Sequence, residues 1–150
     1  MNDSDAASKT VLIVDDNPLL LEFMQDALQE LGNFRVVSAA NGIEGLEQFY
    51  QIRPACVVID VKMPGLNGYQ LVRALRGDPE TAQTPLILLT ALAQDTAELA
   101  GLATGADHYL RKPIDPLELV QAIDQAIQFS EEERIQHLLS LADERQNHVS

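Results

Sequence analysis

Acidic, basic and hydroxyl side chains end several short apolar runs, and together they suit phosphoryl transfer. Asp15 and Asp16 follow one run, Asp60 ends a second, and Thr90 and Lys112 follow two later ones. Crowded carboxylates repel one another and favour a hard cation such as Mg²⁺, which prefers oxygen ligands. A nearby lysine and hydroxyl can stabilise charge on a transferring phosphoryl group, and a carboxylate can accept that group as a nucleophile.

These side chains meet only if the apolar runs are strands of one sheet. Five runs have the length and the β-branched content of buried strands, and they alternate with helical segments. The alternation predicts right-handed crossovers and a parallel sheet covered on both faces, with polar residues at the carboxyl ends of its strands, where ligands bind. The predicted strands are 11–14, 34–39, 56–60, 86–89 and 108–110, and the predicted helices are 18–31, 41–52, 66–76, 95–103 and one beginning at 115–118.

Apolar residues at helical spacing predict the buried helix faces. Asn17 and Pro18 are typical of a helix start, as a cap and a first helical residue. The predicted buried residues are Leu20, Phe23, Met24, Ala27, Leu28 and Leu31 in the first helix, Ile43, Leu46 and Phe49 in the second, Leu71, Val72 and Leu75 in the third, and Leu117, Val120, Ile123 and Ile127 in the last.

Length and composition indicate one acidic globular domain. A chain of 150 residues is long enough to bury a hydrophobic core. Because it contains a single cysteine, Cys56, it cannot form an intrachain disulfide. No apolar run approaches the ~18 residues of a membrane span, and the acidic N-terminus is unlike a secretory signal, so the cytoplasm is expected. The formal net charge of −13 opposes binding to nucleic acid or anionic membranes and leaves room for cations or a basic partner. Residues 1–8 are expected to be disordered.

Four motifs make the chain resemble the receiver domain of two-component response regulators, over about residues 9–128. Each motif is a modest signal alone, but all four in order at strand ends are highly specific. The resemblance implies a flavodoxin-like three-layer α/β/α fold with five helices and strand order 2-1-3-4-5. The motifs are Val-Asp-Asp at 14–16, Asp-Val-Lys-Met-Pro-Gly-Leu-Asn-Gly at 60–68, Leu-Thr-Ala at 89–91 and Tyr-Leu-Arg-Lys-Pro at 109–113.

The resemblance implies a phosphate acceptor and a metal site. Asp60 is the implied acceptor of the phosphoryl group. Asp15, Asp16, Asp60 and the backbone carbonyl of Lys62 are the implied ligands of Mg²⁺, with Asp16 a more direct ligand than Asp15. The implied chemistry is autophosphorylation and autodephosphorylation within a signalling domain, not an enzyme activity on a separate substrate.

The resemblance also implies a switch. Thr90 is similar to the hydroxyl that turns toward the phosphoryl oxygens, and Tyr109 to the aromatic residue whose rotamer follows it. Lys112 is similar to the phosphate-contacting lysine, and its bond to Pro113 is cis in relatives. Lys62 and Leu92 are expected to influence how fast the phosphate is lost.

The implied partners are proteins. A sensor histidine kinase or a phosphotransfer protein supplies the phosphoryl group, and an unidentified downstream target reads the changed surface. That surface is formed by the predicted helix 95–103, the fifth strand and the last helix, and a homodimer through it is one expectation.

The same residues are compatible with other functions. A haloacid-dehalogenase-type phosphatase needs an Asp two residues after the nucleophile, where this chain has Lys62. A flavodoxin-type phosphate after the first strand would be repelled by Asp15 and Asp16. Alone, those two acids could be helix-entry residues and Asp60 a turn residue. A phosphorylation-independent interaction module and a receiver fragment of a longer regulator both stay open.

Residues 130–150 are expected to form a C-terminal extension to a receiver domain at 9–129. Ser130 to Glu133 resembles a capping box, which predicts that a new helix begins there. Ile135, Leu138, Leu139 and Ala142 form a narrow apolar stripe at helical spacing. The stripe either folds back on its own domain or frays, or it pairs with a second copy of the chain.

Overall fold

The computed structural model describes residues 9–91 and 105–149, without the side chains at 137 and 144–149. The predicted helix 95–103, Leu92 and the predicted disorder at 1–8 lie outside these ranges. The strands are β1 Thr10–Val14, β2 Arg35–Ala39, β3 Cys56–Asp60, β4 Leu86–Thr90 and β5 His108–Arg111. The helices of the described ranges are α1 Pro18–Leu31, α2 Gly42–Ile52, α3 Gly68–Gly77 and α4 Pro116–Val149.

The five strands form one sheet in the order β2-β1-β3-β4-β5, and every neighbouring pair is parallel. This confirms the predicted topology. The register pairs Val14 with Ile59, Asp60 with Leu89, and Thr90 with Arg111. The carboxyl ends of β1, β3, β4 and β5 therefore lie at one edge of the sheet, where the predicted site residues converge.

Two apolar clusters, one on each face of the sheet, make the fold a three-layer sandwich. Alternate residues of a strand point to opposite faces, so β1 gives Ile13 to one cluster and Leu12 to the other. Helices α1 and α4 cover the first face, whereas α2 and α3 cover the second. The central strands β3 and β4 are buried along their whole length, which explains their nearly continuous apolar sequences.

Helix α1 begins as predicted but buries a narrower face than predicted. The side chain of Asn17 accepts hydrogen bonds from the backbone N–H groups of Leu19 and Leu20. Burial of Phe23 and Leu31 was predicted wrongly, since these side chains are 44% and 56% exposed. Only the centre of the helix contacts the sheet closely enough to be fully buried, at Met24, Ala27 and Leu28.

Helix α2 packs on the sheet through glycines, which overturns part of its predicted apolar face. Ile43 is 59% exposed, and the buried residues are Gly42, Gly45 and Phe49. A Cβ atom on Gly45 would lie 3.0 Å from a methyl group of Val14, so the backbone of the helix approaches β1 closely. Because this close contact fixes the rotation of the helix, Ile43 points away from the sheet.

Helix α3 begins at Gly68, two residues later than predicted. Asn67 is its cap: its side chain accepts from the backbone N–H of Gln70, and the side chain of Gln70 accepts from the backbone N–H of Asn67, both at 2.9 Å. This reciprocal pair satisfies two backbone donors at the helix start. Met63 to Leu66 are therefore left in the loop that follows Asp60.

Helix α4 is a single helix of 34 residues, so the prediction of a new helix at Ser130 was wrong. Its sequence has neither glycine nor proline after Pro116 to interrupt it. The Ser130 hydroxyl donates to the carbonyl oxygen of Gln83 at 3.5 Å instead of capping a new helix. Burial of Leu117 was also predicted wrongly, because it is 54% exposed and the buried face runs through Leu119, Val120, Ala122, Ile123, Ala126 and Ile127.

The fold-back interpretation of the extension is also wrong for its described side chains. Those at 131–136 and 138–143 are all exposed, and the helix continues outward past the domain. Over the described ranges, the structure contains no helix with the length and apolar character of a membrane span.

Candidate functional site

Three carboxylates from two strands meet at the carboxyl edge of the sheet. Asp15 and Asp16 follow β1, and Asp60 is the last residue of β3, which lies beside β1 in the sheet. One oxygen of each carboxylate lies within 4.8 Å of the corresponding oxygens of the other two. Asp15 and Asp60 are buried, whereas Asp16 is exposed. The predicted acidic cluster is therefore assembled by the fold.

Asp15 is a buried carboxylate with one oxygen that lacks a hydrogen-bond partner among the described residues. Its Oδ1 accepts a hydrogen bond of 2.9 Å from the backbone N–H of Asn17, but its buried Oδ2 has no hydrogen-bond partner within the described chain. Burial, followed by the nearby charge of Asp60, raises the pKa of Asp15 to about 6. A buried carboxylate oxygen without a partner, beside other carboxylates, is stabilised by additional positive charge nearby.

Lys112 provides one positive charge to the cluster. Its Nζ lies 2.9 Å from Oδ1 of Asp60, and its side chain is 28% exposed whereas that of Asp60 is 5% exposed. The backbone N–H of Lys112 donates to the carbonyl oxygen of Thr90 at 2.8 Å, which ties the end of β5 to the end of β4. The Lys112–Pro113 peptide bond is cis, as the resemblance implied.

The two predicted switch residues lie on the neighbouring strands β4 and β5. Thr90 is buried at the end of β4. Strand β3, on one side of β4, ends at Asp60, and strand β5, on the other side, leads to Lys112. Tyr109 lies on β5 opposite Leu88 and packs against the apolar cluster under α2 and α3. Its hydroxyl oxygen is buried without a hydrogen-bond partner among the described residues, and burial raises the pKa of Tyr109 to about 12.

The loop after Asp60 contains a residue whose role the sequence interpretation did not identify. A Cβ atom on Gly68 would lie 2.5 Å from the carbonyl oxygen of Asp60 and 2.7 Å from the Cα of Val61. The N–H of Gly68 also donates to the carbonyl oxygen of Val61 at 3.0 Å. The start of α3 therefore rests directly on the backbone that carries Asp60. The Asn-Gly pair at 67–68, just before an apolar helix, was the available signal.

Measured distances join four of the seven predicted site residues: Asp15, Asp16, Asp60 and Lys112. The sheet register places Thr90 opposite Arg111, at the same edge of the sheet, and Tyr109 two residues earlier on β5, opposite Leu88. Lys62 has an exposed side chain on the loop after β3, and its predicted metal-binding atom is the backbone carbonyl oxygen. The role of each residue remains a prediction.

The donor set fits a magnesium ion. The three carboxylates offer only oxygen atoms, and these lie close enough together to share one ion. Mg²⁺ prefers oxygen ligands and retains several waters, so a shallow site with one exposed carboxylate is compatible with it. The unpartnered Oδ2 of Asp15 is an independent indication that a cation belongs here.

The comparisons with known proteins agree with this geometry. The family model of the response regulator receiver domain matches residues 11–124. Protein PilH of Pseudomonas aeruginosa is 39% identical over 114 residues, which cover 76% of this chain and 93% of PilH. Response regulator Rre1 of a Synechocystis strain is 38% identical over 110 residues, which cover 73% of this chain, and the chain thus spans about half (48%) of the length of Rre1.

A solved structure shows the same fold with a metal in place. It is the receiver domain of a sensor histidine kinase from Pseudomonas aeruginosa, with a magnesium ion coordinated in the active site cleft. It is 30% identical to this chain, with a TM-score of 0.74, and the match covers 81% of this chain and 99% of that one. Receiver domains of this kind are signalling proteins of two-component systems. The fold, the acidic cluster and these matches together show that the chain belongs to the response regulator receiver domain family.

Proposed function

We propose that this domain is a phosphorylation-dependent switch that accepts a phosphoryl group from a phosphohistidine onto Asp60. The observation that carries the proposal is the position of Asp60, buried between two further carboxylates and the ammonium group of Lys112. A carboxylate with charged groups on both sides is suited to a reaction in which its own negative charge changes and must be balanced.

The reaction is a transfer between two nucleophiles. A carboxylate oxygen of Asp60 forms a bond to phosphorus while the bond from phosphorus to the histidine nitrogen of the donor breaks. Lys112 stabilises the charge on the phosphoryl oxygens from its position beside Asp60. Asp15, Asp16, Asp60 and the carbonyl of Lys62 would hold Mg²⁺, which neutralises charge on the phosphoryl group when it is bound. In hydrolysis, water attacks phosphorus and the carboxylate of Asp60 leaves.

The switch follows from the new charge on Asp60. Thr90 is buried at the adjacent strand end and can donate its hydroxyl hydrogen to a phosphoryl oxygen. The hydroxyl group of Tyr109 has no hydrogen-bond partner within the described chain. A change of the Tyr109 rotamer therefore breaks no hydrogen bond to the described residues. The new position of Tyr109 changes the surface next to β5 and so biases the domain toward a partner.

The phosphodonor is expected to dock beside the site on the first turns of α1 and α4. These two helices cover the same face of the sheet, and they begin shortly after Asp16 and Lys112. Leu19 and Leu117, in these first turns, are 78% and 54% exposed. Large apolar side chains that are exposed in these first turns are suited to contact with a partner protein. Phosphotransfer from the histidine kinases of the source organism would identify the donor.

The experiment uses acetyl phosphate as a small donor with the full chain. With Mg²⁺, the intact mass of the wild type should increase by about 80 Da, and chelation of the metal should prevent this. The Asp60→Asn variant should not gain mass, and Asp26→Asn is the control, because Asp26 is an exposed acid on α1. Equal labelling of the Asp60→Asn variant would contradict the assignment. No labelling of the wild type would favour the alternative, a phosphorylation-independent interaction module.

A further inference from the structure

Arg76, in the last turn of α3, joins separate segments of the chain at the edge of the sheet opposite to the acidic cluster. Its Nε donates to the carbonyl oxygen of Gly105 at 2.9 Å, and its Nη2 donates to Oδ2 of Asp107 at 2.8 Å. Its Nη1 donates to the carbonyl oxygens of Ala82 and Thr84, at 3.0 and 2.7 Å. The side chain is 21% exposed. Because the donors of a guanidinium group have fixed directions in one plane, these acceptors are held in one arrangement.

Asp107 connects Arg76 to the beginnings of β4 and β5. The Oδ2 atom that binds Arg76 also accepts from the backbone N–H of Leu86 at 2.8 Å. The backbone N–H of Asp107 donates in turn to the carbonyl oxygen of Leu86, at 2.8 Å. Leu86 is the first residue of β4, and Asp107 directly precedes β5. The amino ends of the two strands are therefore fixed relative to each other and to the end of α3.

Strand β5 depends on contacts at its two ends, because it lies at the edge of the described sheet. It has four residues, His108–Arg111, and within that sheet it pairs with β4 alone. Its carboxyl end is held by the hydrogen bond from the N–H of Lys112 to the carbonyl oxygen of Thr90. Its amino end is held through Asp107 by Arg76. Since so short an edge strand has few other hydrogen bonds, loss of the contact at either end should allow it to shift.

Tyr109 and Lys112, on β5 and directly after it, lie close in sequence and in space to the residues that Arg76 binds. Tyr109 lies two residues after Asp107, and Lys112 lies five residues after it. Tyr109 also packs on the apolar cluster that contains Leu75, the residue before Arg76. Burial, then a neighbouring tyrosine and then the charge of Asp107 raise the pKa of Tyr109. Asp107 is thus near enough to Tyr109 for its charge to be felt there.

We propose that Arg76 is a positioning residue, which fixes the amino end of β5 and thereby the places of Tyr109 and Lys112. Without the guanidinium group, Asp107 keeps its hydrogen bonds to β4 but loses its counterion, and the carbonyl oxygen of Gly105 loses its donor. Strand β5 then shifts relative to β4, so that Tyr109 is less confined and the ammonium group of Lys112 meets the acceptor carboxylate less often.

Fluorine NMR of Tyr109 tests the positioning without any phosphoryl group. The full chain is labelled with meta-fluorotyrosine, and Tyr109→Phe identifies the Tyr109 signal among those of the three tyrosines. Arg76→Met, which keeps an apolar stem and removes the donors, should shift and broaden this signal. Arg76→Lys, which keeps the charge and reaches fewer acceptors, should shift it less, and this variant replaces Arg76→Met if the latter does not fold.

Arg53→Met is the matched control, because it makes the same change at another arginine that binds the loop after α3. Nη2 of Arg53 lies 3.3 Å from Oε1 of Glu80, and its guanidinium carbon lies 5.2 Å from the centre of the Tyr50 ring. This variant should move the Tyr50 signal and leave the Tyr109 signal in place. Spectra recorded at the same interval below the Tm of each variant separate a change of position from a general loss of stability.

Labelling by acetyl phosphate measures the effect on Lys112, and this part of the inference rests on the proposed function. Arg76→Met should be labelled about three- to tenfold more slowly than the wild type, and Arg53→Met at the wild-type rate. An unchanged Tyr109 signal in Arg76→Met, or an equal change in Arg53→Met, would overturn the positioning role. Labelling of Arg76→Met at the wild-type rate would overturn its extension to Lys112. If the wild type itself is not labelled, the proposed function fails, and the Tyr109 signal alone decides the role of Arg76.

Discussion

The ammonium group of Lys112 lies 2.9 Å from a carboxylate oxygen of Asp60, although β4 separates the two strands that end near them. Lysine is thus the cation that neutralises Asp60 in this structure. The same carboxylate lies near Asp15 and Asp16. A divalent cation bound there would share the negative charge of Asp60 with Lys112, and a phosphoryl group on Asp60 would offer Lys112 a stronger partner.

The first prediction concerns Lys112→Met, which keeps the apolar stem and removes the charge. Its affinity for Mg²⁺, measured by calorimetric titration, should increase severalfold because the competing cation is gone. Its rate of labelling by acetyl phosphate should fall at least tenfold, since charge on the phosphoryl group loses a counterion, and tenfold corresponds to about 1.4 kcal/mol. Lys112→Arg, which retains the charge, is the control. Labelling of Lys112→Met at the wild-type rate would exclude this role.

The second prediction is that Asp15→Asn stabilises the protein when Mg²⁺ is absent. The substitution removes a buried charge with one unpartnered oxygen beside two other carboxylates. The expected gain is about 1–3 kcal/mol, and each 1 kcal/mol raises the Tm of a domain of this size by about 2–4 °C. Thermal unfolding in EDTA measures the gain, and addition of Mg²⁺ should then raise the Tm of the wild type more than that of Asp15→Asn. A lower Tm for Asp15→Asn in EDTA would contradict the electrostatic account.

The difference in stability between Asp15→Asn and the wild type should depend on pH, because it follows from the pKa of Asp15. The fold raises this pKa from 3.8 to about 6, so the folded protein favours the protonated carboxyl. The stabilisation from the protonated form is present below the unfolded pKa and is lost as the pH rises through about 6. Without Mg²⁺, the advantage of Asp15→Asn should therefore be small near pH 4 and reach at most about 3 kcal/mol at pH 7. Thermal unfolding in EDTA across this pH range measures it, and a difference that does not grow with pH would contradict the assignment to Asp15.

A third prediction separates two helical glycines. Gly68→Ala should destabilise the fold by about 1–3 kcal/mol, because its Cβ atom would press on the backbone of Asp60 and Val61. It should also slow the labelling of Asp60, since that backbone positions the acceptor. Gly77→Ala is the matched control: nothing lies within 4 Å of a Cβ atom there, and alanine is the better helix former. Equal stability and equal labelling of the two variants would exclude a positioning role for Gly68.

The sequence alone was sufficient to predict the parallel sheet and the convergence of the charged residues at one of its edges. Each of Asp15, Asp60 and Lys112 follows a short apolar run, and parallel strands have their carboxyl ends at one edge. Strand order needed more information, because alternating strands and helices are compatible with several orders. The motif resemblance supplied the order that the structure then showed.

Burial on the helices was harder to predict, and the reasons are physical. Apolar periodicity treats glycine as neutral, yet Gly45 is where α2 approaches β1, and this contact turns Ile43 outward. Gly68 was missed for the same reason. A local pattern also cannot show whether a preceding helix continues through it. The capping-box sequence at Ser130 therefore predicted a new helix, whereas α4 continues through this position without interruption.

The most direct test of the account is to locate the phosphoryl group. After incubation with acetyl phosphate and Mg²⁺, reduction with borohydride converts an aspartyl phosphate to homoserine, and peptide mass spectrometry identifies the modified position. The account predicts homoserine at position 60 alone, dependent on Mg²⁺ and abolished by Asp60→Asn. Modification at Asp15 or Asp16 instead, or none at position 60 in a protein that binds Mg²⁺, would contradict it.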